Sequence, residues 1–299
     1  MGRDQTLRKA IVKAALDAPG SRKAIADFLL LEGSGVAQLT MAQVASATYT
    51  SKPTLVRFAK RLGFSGWPEF REAFLAETLA EDERMATGNG VDVNHPFGAD
   101  ASLAEAVGNI VRVQELAIHG IAEKLDEEAL IRAAKAIDGA RNVVFFARPP
   151  SRHFGHHFGF ELNSIGKTCC VPHAEEGDLA INVMEKVDCA LFASYGGALA
   201  KEPLCYVEDV RDKGITVIAV TSKGSALAHS ADIALTFDPI ERYFDKIAGF
   251  YSCACIRQYL DALFVACYQE HYSEYQQEGQ ERTERLKRVA GMRDDLREQ

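Results

Sequence analysis

Long apolar runs are absent from this sequence of 299 residues. No stretch approaches the ~20 apolar residues needed to cross a bilayer, and the first ten residues, MGRDQTLRKA, lack the apolar core of a signal peptide. These absences exclude a membrane-spanning protein, so we expect a cytoplasmic protein without a membrane partner. The length and the 47% hydrophobic content suffice for a sizeable core and for two domains.

Paired cysteine motifs are absent as well. The seven cysteines form no CxxC pair, and several lie in apolar strand or helix patterns, where a thiol behaves as a small hydrophobic group. We expect all of them to be reduced and structural: Cys169, Cys170, Cys189, Cys205, Cys253, Cys255 and Cys267.

The chain also lacks the net positive charge that is typical of DNA-binding proteins, since its formal charge is −8. The charge is unevenly distributed, however. Residues 1–85 carry 12 Lys and Arg against 10 Asp and Glu, and residues 50–71 carry five basic side chains against one acidic side chain. Attraction to phosphate depends on this local field, so a DNA-binding surface is expected in the N-terminal part of the chain.

Residues 40–70 predict two short helices joined by a tight turn. Thr40 and Ser51 stand at the N-cap positions of the two helices, and Gly63 ends the second helix as a C′ residue. The apolar positions recur at helical spacing and predict the two inner faces: Met41, Val44 and Ala45 in the first helix, and Leu55, Phe58 and Leu62 in the second.

The outer face of the second helix is cationic and hydroxylated, as a recognition helix requires. Side chains in its first turn would reach base edges in the major groove, and later Arg and Lys side chains would neutralise phosphates. We predict DNA contacts by Thr40, Ser51, Lys52, Thr54, Arg57, Lys60 and Arg61. The alternative interpretation is a helical hairpin that serves only for packing.

These residues resemble the N-terminal domain of the RpiR/MurR family of bacterial regulators. The match rests on SKPTLVRF at 51–58, KRLGF at 60–64, and the following Gly66, Trp67, Glu69 and Phe70, over roughly 50 residues. The sequence departs from the family at the turn, where Tyr49 replaces the usual glycine and Thr50 replaces an apolar residue. If Tyr49 takes a positive φ, the turn costs on the order of 1 kcal/mol.

The segments around this motif predict a helical scaffold and then a linker. Residues 4–17 form an amphipathic pattern, Ser21 stands as the cap of the next helix, and a further helix runs from Trp67 to about Arg84. Residues 86–102 are rich in Gly, Asp, Asn and Pro without helical periodicity, which is typical of a linker. We predict an all-α helix-turn-helix domain over residues 1–85.

The pattern changes after residue 103. Two helical stretches run to about Ile137, and then short apolar runs alternate with helical segments. Such alternation predicts an α/β domain with a doubly wound parallel sheet and ligands at the carboxyl ends of its strands. The predicted strands are 142–147, 169–171, 187–194, 214–221 and 233–237.

The strand ends resemble the phosphosugar-binding loops of the sugar isomerase (SIS) domain that follows the helix-turn-helix in RpiR-type regulators. The resemblance extends through GITVIAVTSKGSALAHSADIALTF and the helix around YLDALF, and it implies an effector-binding and dimerisation domain over residues 103–275. Residues 276–299 then form a charged tail, as a solvated helix or a frayed end. The implied effector-binding residues are Arg148, Ser151, Arg152, Ser194, Gly196, Gly197, Thr221 and Ser222.

The ligand loops are also where the sequence departs from the SIS pattern. Pro149 and Pro150 replace glycines in the first loop, and proline offers no N–H to a phosphate. In the second loop, Gly196 and Leu199 replace two of the usual hydroxyl residues. Arg148 and Arg152 could compensate with charge-assisted hydrogen bonds. Three alternatives stay open: a sugar phosphate, another small anionic or polar metabolite, or no ligand.

A cluster of histidines and cysteines raises a metal-binding hypothesis. It comprises His153, His156, His157, Cys169, Cys170 and His173, of which His153 and His157 are one helical turn apart. No residue completes a recognisable zinc motif, and the same stretch also fits an amphipathic helix with Phe154, Phe158 and Leu162 inside. We therefore predict neither a metal nor a cofactor.

Together these patterns predict a transcriptional regulator, and not an enzyme, that binds double-stranded operator DNA. The resemblance implies control by a small-molecule effector, a sugar phosphate or another anion, and a homodimer or higher homo-oligomer, for which the apolar segment Phe250 to Tyr268 is a candidate partner surface. One rival is a sugar-phosphate isomerase with an accessory helical domain, whose base would be Glu161, Glu175, Glu176 or Glu241. The others are a regulator that has lost its ligand and an interaction module that has lost both DNA and ligand.

Overall fold

The N-terminal domain is a bundle of helices. The computed structural model describes residues 7–16, 20–86, 90–199, 202–242 and 246–295, so the ends of the first predicted helix, 4–6 and 17, lie outside the described residues. A 3-10 segment, Gly33–Gln38, follows the second helix. The helices are α1 (Leu7–Leu16), α2 (Ser21–Glu32), α3 (Met41–Ala47), α4 (Lys52–Arg61) and α5 (Trp67–Ala86).

Aromatic rings hold α4 against α5 in the core of this bundle. The rings of Phe58 and Phe70 meet edge to face with 5.8 Å between their centroids, and Trp67 packs on Phe70 at 5.3 Å. Leu55 is fully buried beside them. The two predicted inner faces are thus in the core, with Met41 and Leu62 at its partly buried edge. The orientation of α4 is therefore set by buried apolar contacts, and its polar side faces outward.

The C-terminal domain is a parallel sheet with helices on both faces, as predicted. The strand order is β2-β1-β3-β4-β5, and each neighbouring pair is parallel. The strands are β1 (Val143–Ala147), β2 (Cys169–Cys170), β3 (Cys189–Ser194), β4 (Thr216–Ser222) and β5 (Ile233–Phe237). The helices are α6 (Leu103–Glu123), α7 (Glu127–Gly139), α8 (Ser151–Ser164), α9 (Gly177–Val183), α10 (Val207–Asp212), α11 (Ala226–Ser230), α12 (Phe250–Glu270) and α13 (Tyr272–Asp295).

The strands are continuously apolar because both faces of the sheet are covered. In β1, Phe145 packs into the core formed with α6, α7, α8 and α12, whereas the next residue, Phe146, packs into the core on the opposite face. There its ring stacks on Phe192 of β3 with 4.7 Å between centroids. Two layers of helices around one sheet define the doubly wound architecture.

Four expectations from the sequence differ from the structure. The candidate partner surface on α12 is instead the centre of the domain, because its apolar side chains pack on α6, α7 and α8. The predicted linker contributes Val93 to the same core. The charged tail forms the long helix α13. Ser21 is the first residue of α2 and makes no capping hydrogen bond, because Gly20 holds the N-cap position.

Candidate DNA-binding and effector sites

The turn between α3 and α4 is closed by backbone and hydroxyl hydrogen bonds. Tyr49 adopts a φ of 51° with its side chain 98% exposed. The Thr50 amide donates to the Ala45 carbonyl at 2.8 Å, and the buried Thr48 hydroxyl donates to the Val44 carbonyl at 2.8 Å. These bonds hold the left-handed residue in a position that glycine occupies more easily.

Three predicted DNA-binding residues form a hydrogen-bonded row on α4. The Ser51 and Thr54 hydroxyls are 2.9 Å apart, and Arg57 Nη2 donates to Thr54 Oγ1 at 3.0 Å. Ser51 occupies the N-cap position with extended backbone, but its side chain bonds Thr54 and does not cap the helix. Thr54 thereby holds the Arg57 guanidinium at the start of the exposed face.

The remaining predicted contacts flank this row. Lys52, Lys60 and Arg61 are exposed, and within the described residues none of them, nor Arg57, forms an ion pair with a carboxylate. Thr40 uses its polar groups in a capping box with Gln43, since its hydroxyl accepts from the Gln43 amide at 3.3 Å. The uncompensated cations give α4 the positive surface that phosphate contacts require.

The first predicted effector loop follows β1. Arg148 and both prolines are exposed, whereas Ser151 at the first turn of α8 is buried. The Arg152 amide donates to the Arg148 carbonyl at 3.0 Å, and the His153 amide donates to the Pro150 carbonyl at 2.9 Å. Two amides of the α8 N-terminus are therefore used within the loop, which leaves fewer donors for an anion than a helix N-terminus usually offers.

The loops after β3 and β4 lock together. Gly197 has a φ of 57°, and a Cβ at this position would lie 2.7 Å from Thr221 Oγ1. The Thr221 hydroxyl is fully buried and lies 3.1 Å from Ser225 Oγ, while the Gly197 amide donates to Ser194 Oγ at 3.3 Å. Thr221, Ser194 and Gly197 therefore shape the loops from beneath, and Gly196 and Ser222 are the predicted residues that line the recess above them.

That recess lies between the carboxyl edge of the sheet and the helical domain. It includes residues that were not predicted as effector contacts, and half of them come from segments distant in sequence. Ser225 carried the signal of a Ser N-cap after a strand, whereas the N-terminal residues carried none. The lining comprises Arg8, Leu30, Glu32, Gly33, Ser34, Thr78, Tyr195, Gly196, Ser222, Gly224, Ser225, Pro239, Glu241 and Arg242.

Glu241 is the buried acidic group of this recess. Its carboxylate accepts from the Ser252 amide at 2.8 Å and from the Ser252 hydroxyl at 2.7 Å, and it pairs with Lys246. The Tyr195 hydroxyl donates to the Glu241 carbonyl, and burial raises the pKa of Tyr195 well above its usual value. Both carboxylate oxygens are thus held by the first turn of α12 and by a cation, an arrangement that favours the ionised form.

The histidine and cysteine cluster does not converge. His157 Nδ1 lies 3.3 Å from Glu161, Arg152 Nη1 lies 2.6 Å from His173 Nδ1, and burial raises the pKa of Cys169 to about 12. Among the described residues, no three His, Cys, Asp or Glu side chains are arranged to hold a metal ion. The described helices also include none with the length and apolarity needed to span a bilayer.

Comparison with known proteins places both halves of the chain. A helix-turn-helix domain of the rpiR family matches residues 6–82, and a SIS domain matches residues 136–291. An uncharacterised HTH-type transcriptional regulator from Caldanaerobacter subterraneus subsp. tengcongensis is 26% identical over 257 residues, covering 85% of this chain and 87% of the relative.

Solved structures share the fold. Vibrio vulnificus NanR in complex with ManNAc-6P matches with a TM-score of 0.54 and 19% identity, covering 94% of this chain and 98% of NanR. The c3406 protein of E. coli CFT073, also solved with a sugar phosphate, matches with a TM-score of 0.54 and 17% identity, covering 62% of this chain and 100% of c3406. The chain is therefore a member of the RpiR family of transcriptional regulators, in which a helix-turn-helix domain precedes a SIS domain.

Proposed function

We propose that this regulator reads operator DNA through α4 and responds to a small anionic metabolite, of the sugar phosphate class, at the carboxyl edge of its sheet. The observation that carries the proposal is the exposed row Ser51, Thr54 and Arg57 with further exposed cations beside it. A rigid helix with hydroxyl and guanidinium groups on one side can bond base edges and phosphates at once.

The effector class is supported by the chemistry of the recess and by the relatives. Ser222 and Ser225 supply hydroxyl groups, and Arg8 and Arg242 supply positive charge. NanR and c3406 have the same fold, and each was solved with a sugar phosphate, which is ManNAc-6P in NanR. A phosphorylated sugar presents the anion and the hydroxyls that such a lining would bond.

Binding without turnover fits the environment of Glu241. An isomerase needs a carboxylate that is free to take a proton from the sugar, whereas both oxygens of Glu241 are engaged by Ser252 and Lys246. We propose that Glu241 orients the loop after β5 and does not act as a base. Sugar-phosphate isomerisation catalysed by the purified protein, and lost in Glu241→Gln, would contradict this role.

We also propose that the regulator works as a two-fold dimer. One recognition helix contacts too few base pairs for a useful affinity, so paired helices should read a pseudo-palindrome with half-sites one or two turns apart. Light scattering of the free protein, together with footprinting on a selected operator, measures both properties.

Replacing Arg57 tests the DNA-binding role. After selection of a preferred site from a random DNA library, we expect Arg57→Ala to lower specific affinity by about tenfold to a hundredfold, because a bidentate base contact is worth roughly 1–3 kcal/mol. Arg57→Lys, which keeps the charge, should lose less affinity for nonspecific DNA than for the operator. Fluorescence anisotropy at fixed salt measures each constant.

The matched control is Arg132→Ala, which removes an exposed arginine from α7 in the C-terminal domain. It should leave operator affinity unchanged. Equal affinities for Arg57→Ala and the parent protein would remove α4 from the role of recognition helix.

A further inference from the structure

The effector recess is completed by the DNA-binding domain. Arg8, Leu30 and Ser34 from the helical domain line it together with Tyr195 and Ser222 from the strand ends. Helix α1 also contacts α11, which begins directly after the loop of β4. The helical domain is therefore seated on the edge of the sheet where the effector is proposed to bind.

This seating leaves little room. The recess has an empty volume of about 660 Å³ if its open mouth is included, but the centres of water molecules fit in only about 50 Å³ of it. One buried water needs about 10–15 Å³ on that measure, whereas pockets that bury small ligands span roughly 300–1,000 Å³. A few waters fit beneath the helical domain in this arrangement, and a sugar phosphate does not.

The seated surface contains a buried carboxylate. Lys23, Asp27 and Leu30 follow one another at spacings of four and three residues, so they share one side of α2. Leu30 lines the recess, and Lys23 is close to the exposed Cys205 of the C-terminal domain: burial raises the pKa of that thiol and the Lys23 charge opposes the rise. Asp27 thus lies on the side turned toward the C-terminal domain.

Asp27 makes the seated arrangement easy to leave. Its side chain is 4% exposed, and neither carboxylate oxygen has a hydrogen-bond partner among the described residues. An ionised carboxylate without a partner is unfavourable in such a place. Moving α2 away from the sheet would return this charge to water.

The linker fastens the other side of the recess. Asn94 is buried, its side-chain oxygen accepts from the Arg242 amide at 2.6 Å, and its carbonyl accepts from the Ile247 amide at 2.9 Å. The loop that carries Glu241 and Arg242 is therefore tied to the segment that leads from the helical domain. Movement of that domain reaches the recess through a covalent path as well as through packing.

We propose that the helical domain is the lid of the effector recess, so that an effector enters only when α2 and the 3-10 segment after it withdraw from the loops after β3, β4 and β5. The proposal rests on the proposed effector-binding function for its biological meaning. Seating of the DNA-binding domain and occupation of the recess then exclude one another, and the effector changes the position of α4 by competing for the same space.

A cross-linking experiment on the full-length protein tests the lid. Lys23→Cys places a thiol near the native Cys205, and a short bismaleimide should join the two within one chain. Lys52→Cys, on the DNA-facing helix, is the matched control and should not join to Cys205. Peptide mass spectrometry identifies the linked positions.

Access to the recess is then measured with Ser222→Cys in the Lys23→Cys background. The probe is the anionic reagent methanethiosulfonate ethylsulfonate, which transfers its thioethylsulfonate group to the thiolate, forms a mixed disulfide and releases methanesulfinate. We expect cross-linking between positions 23 and 205 to slow labelling at position 222 at least tenfold. Labelling at position 222 before cross-linking should in turn reduce the yield of the cross-link.

Equal labelling rates in the linked and unlinked protein would overturn the lid, and so would the absence of the cross-link in Lys23→Cys. If Ser222→Cys does not fold, amide hydrogen exchange of residues 222–226 in the linked Lys23→Cys protein replaces the labelling, with slower exchange expected. Neither DNA nor effector takes part, so failure here is distinguishable from failure of the proposed function, which is measured by operator binding.

Discussion

At the scale of single residues, Asp27 is the side chain with the largest consequence for stability. Desolvation raises its pKa to about 6, and the Lys23 charge opposes this rise only in part. A carboxyl whose pKa is higher in the folded state than in the unfolded state binds more protons when folded. Stability is then fully present below the unfolded pKa of 3.8 and is lost as the pH rises through about 6.

We therefore expect the helical domain of the parent protein to lose on the order of 3 kcal/mol of unfolding free energy between pH 4 and pH 7, because each pKa unit corresponds to about 1.4 kcal/mol. Asp27→Asn should flatten this dependence and be more stable than the parent at pH 8. Trp67 is the only tryptophan and is buried in this domain, so denaturant titrations followed by its fluorescence report the domain selectively.

An exposed carboxylate provides the control for Asp27. Glu72→Gln lies on the same domain, on the outer side of α5, and should keep the pH dependence of the parent. The buried-carboxylate explanation would be wrong if Asp27→Asn and Glu72→Gln gave the same slope.

At the scale of elements, the turn between α3 and α4 carries strain at Tyr49. Its φ of 51° is unfavourable for a residue with a Cβ, and its exposed ring makes no compensating burial. We expect Tyr49→Gly to stabilise the helical domain by about 0.5–1 kcal/mol, which is the left-handed penalty less the additional backbone entropy of glycine in the unfolded chain. The measurement is again denaturation followed by Trp67.

Ala47→Gly is the comparison for Tyr49→Gly. Ala47 ends α3 two residues earlier, is exposed and has helical backbone, so glycine should destabilise the domain there by up to about 1 kcal/mol. Stabilisation by both substitutions, or by neither, would show that the sign does not come from φ.

The elements were predictable where one local signal dominated. The apolar runs located the strands to within one or two residues at most ends, and β5 matches its predicted bounds. Helix α12 was misassigned because Tyr251, Ile256 and Leu263 indicate burial without indicating what buries them. The composition of the linker gave no sign that Val93 and Asn94 would be buried, since their partners lie about 150 residues away.

At the scale of the whole molecule, effector and operator are expected to influence one another. Allosteric coupling is typically worth 1–3 kcal/mol, which changes operator affinity by about fivefold to 150-fold. We expect Arg148→Ala combined with Ser151→Ala to remove the response of DNA binding to a sugar phosphate while leaving operator affinity without effector unchanged. Anisotropy titrations with ManNAc-6P and a panel of other sugar phosphates, and with the unphosphorylated sugars as controls, measure the response.

A response that persists in the double variant would assign the effector to the recess lined by Ser222 and Ser225 alone, without the loop after β1. The two regions are separate in the structure, because the recess beneath the helical domain does not include Arg148, Ser151 or Arg152. The predicted effector-binding residues thus remain predictions, and this comparison decides between the two parts of the sheet edge.

The site was less predictable than the fold because it is assembled from distant segments. Gly196 and Ser222 could be named from their place after strands, and α4 from its own outer face. No periodicity in residues 7–34 indicated that Arg8 and Ser34 would meet the ends of β3 and β4. Such contacts depend on how two finished domains pack, which a pattern within either domain does not encode.

The bonds of Asn94 to Arg242 and Ile247 determine where this protein can be divided. A foreign DNA-binding module fused just before Val91 would keep the clasp on the loop after β5 and the core contact of Val93. The same fusion made after Asn94 would cut both. A chimaera joined at the earlier seam would thus retain an intact metabolite sensor, but its new module would no longer cover the recess. It would bind ligand more readily and transmit nothing to the promoter until its own contact surface were rebuilt.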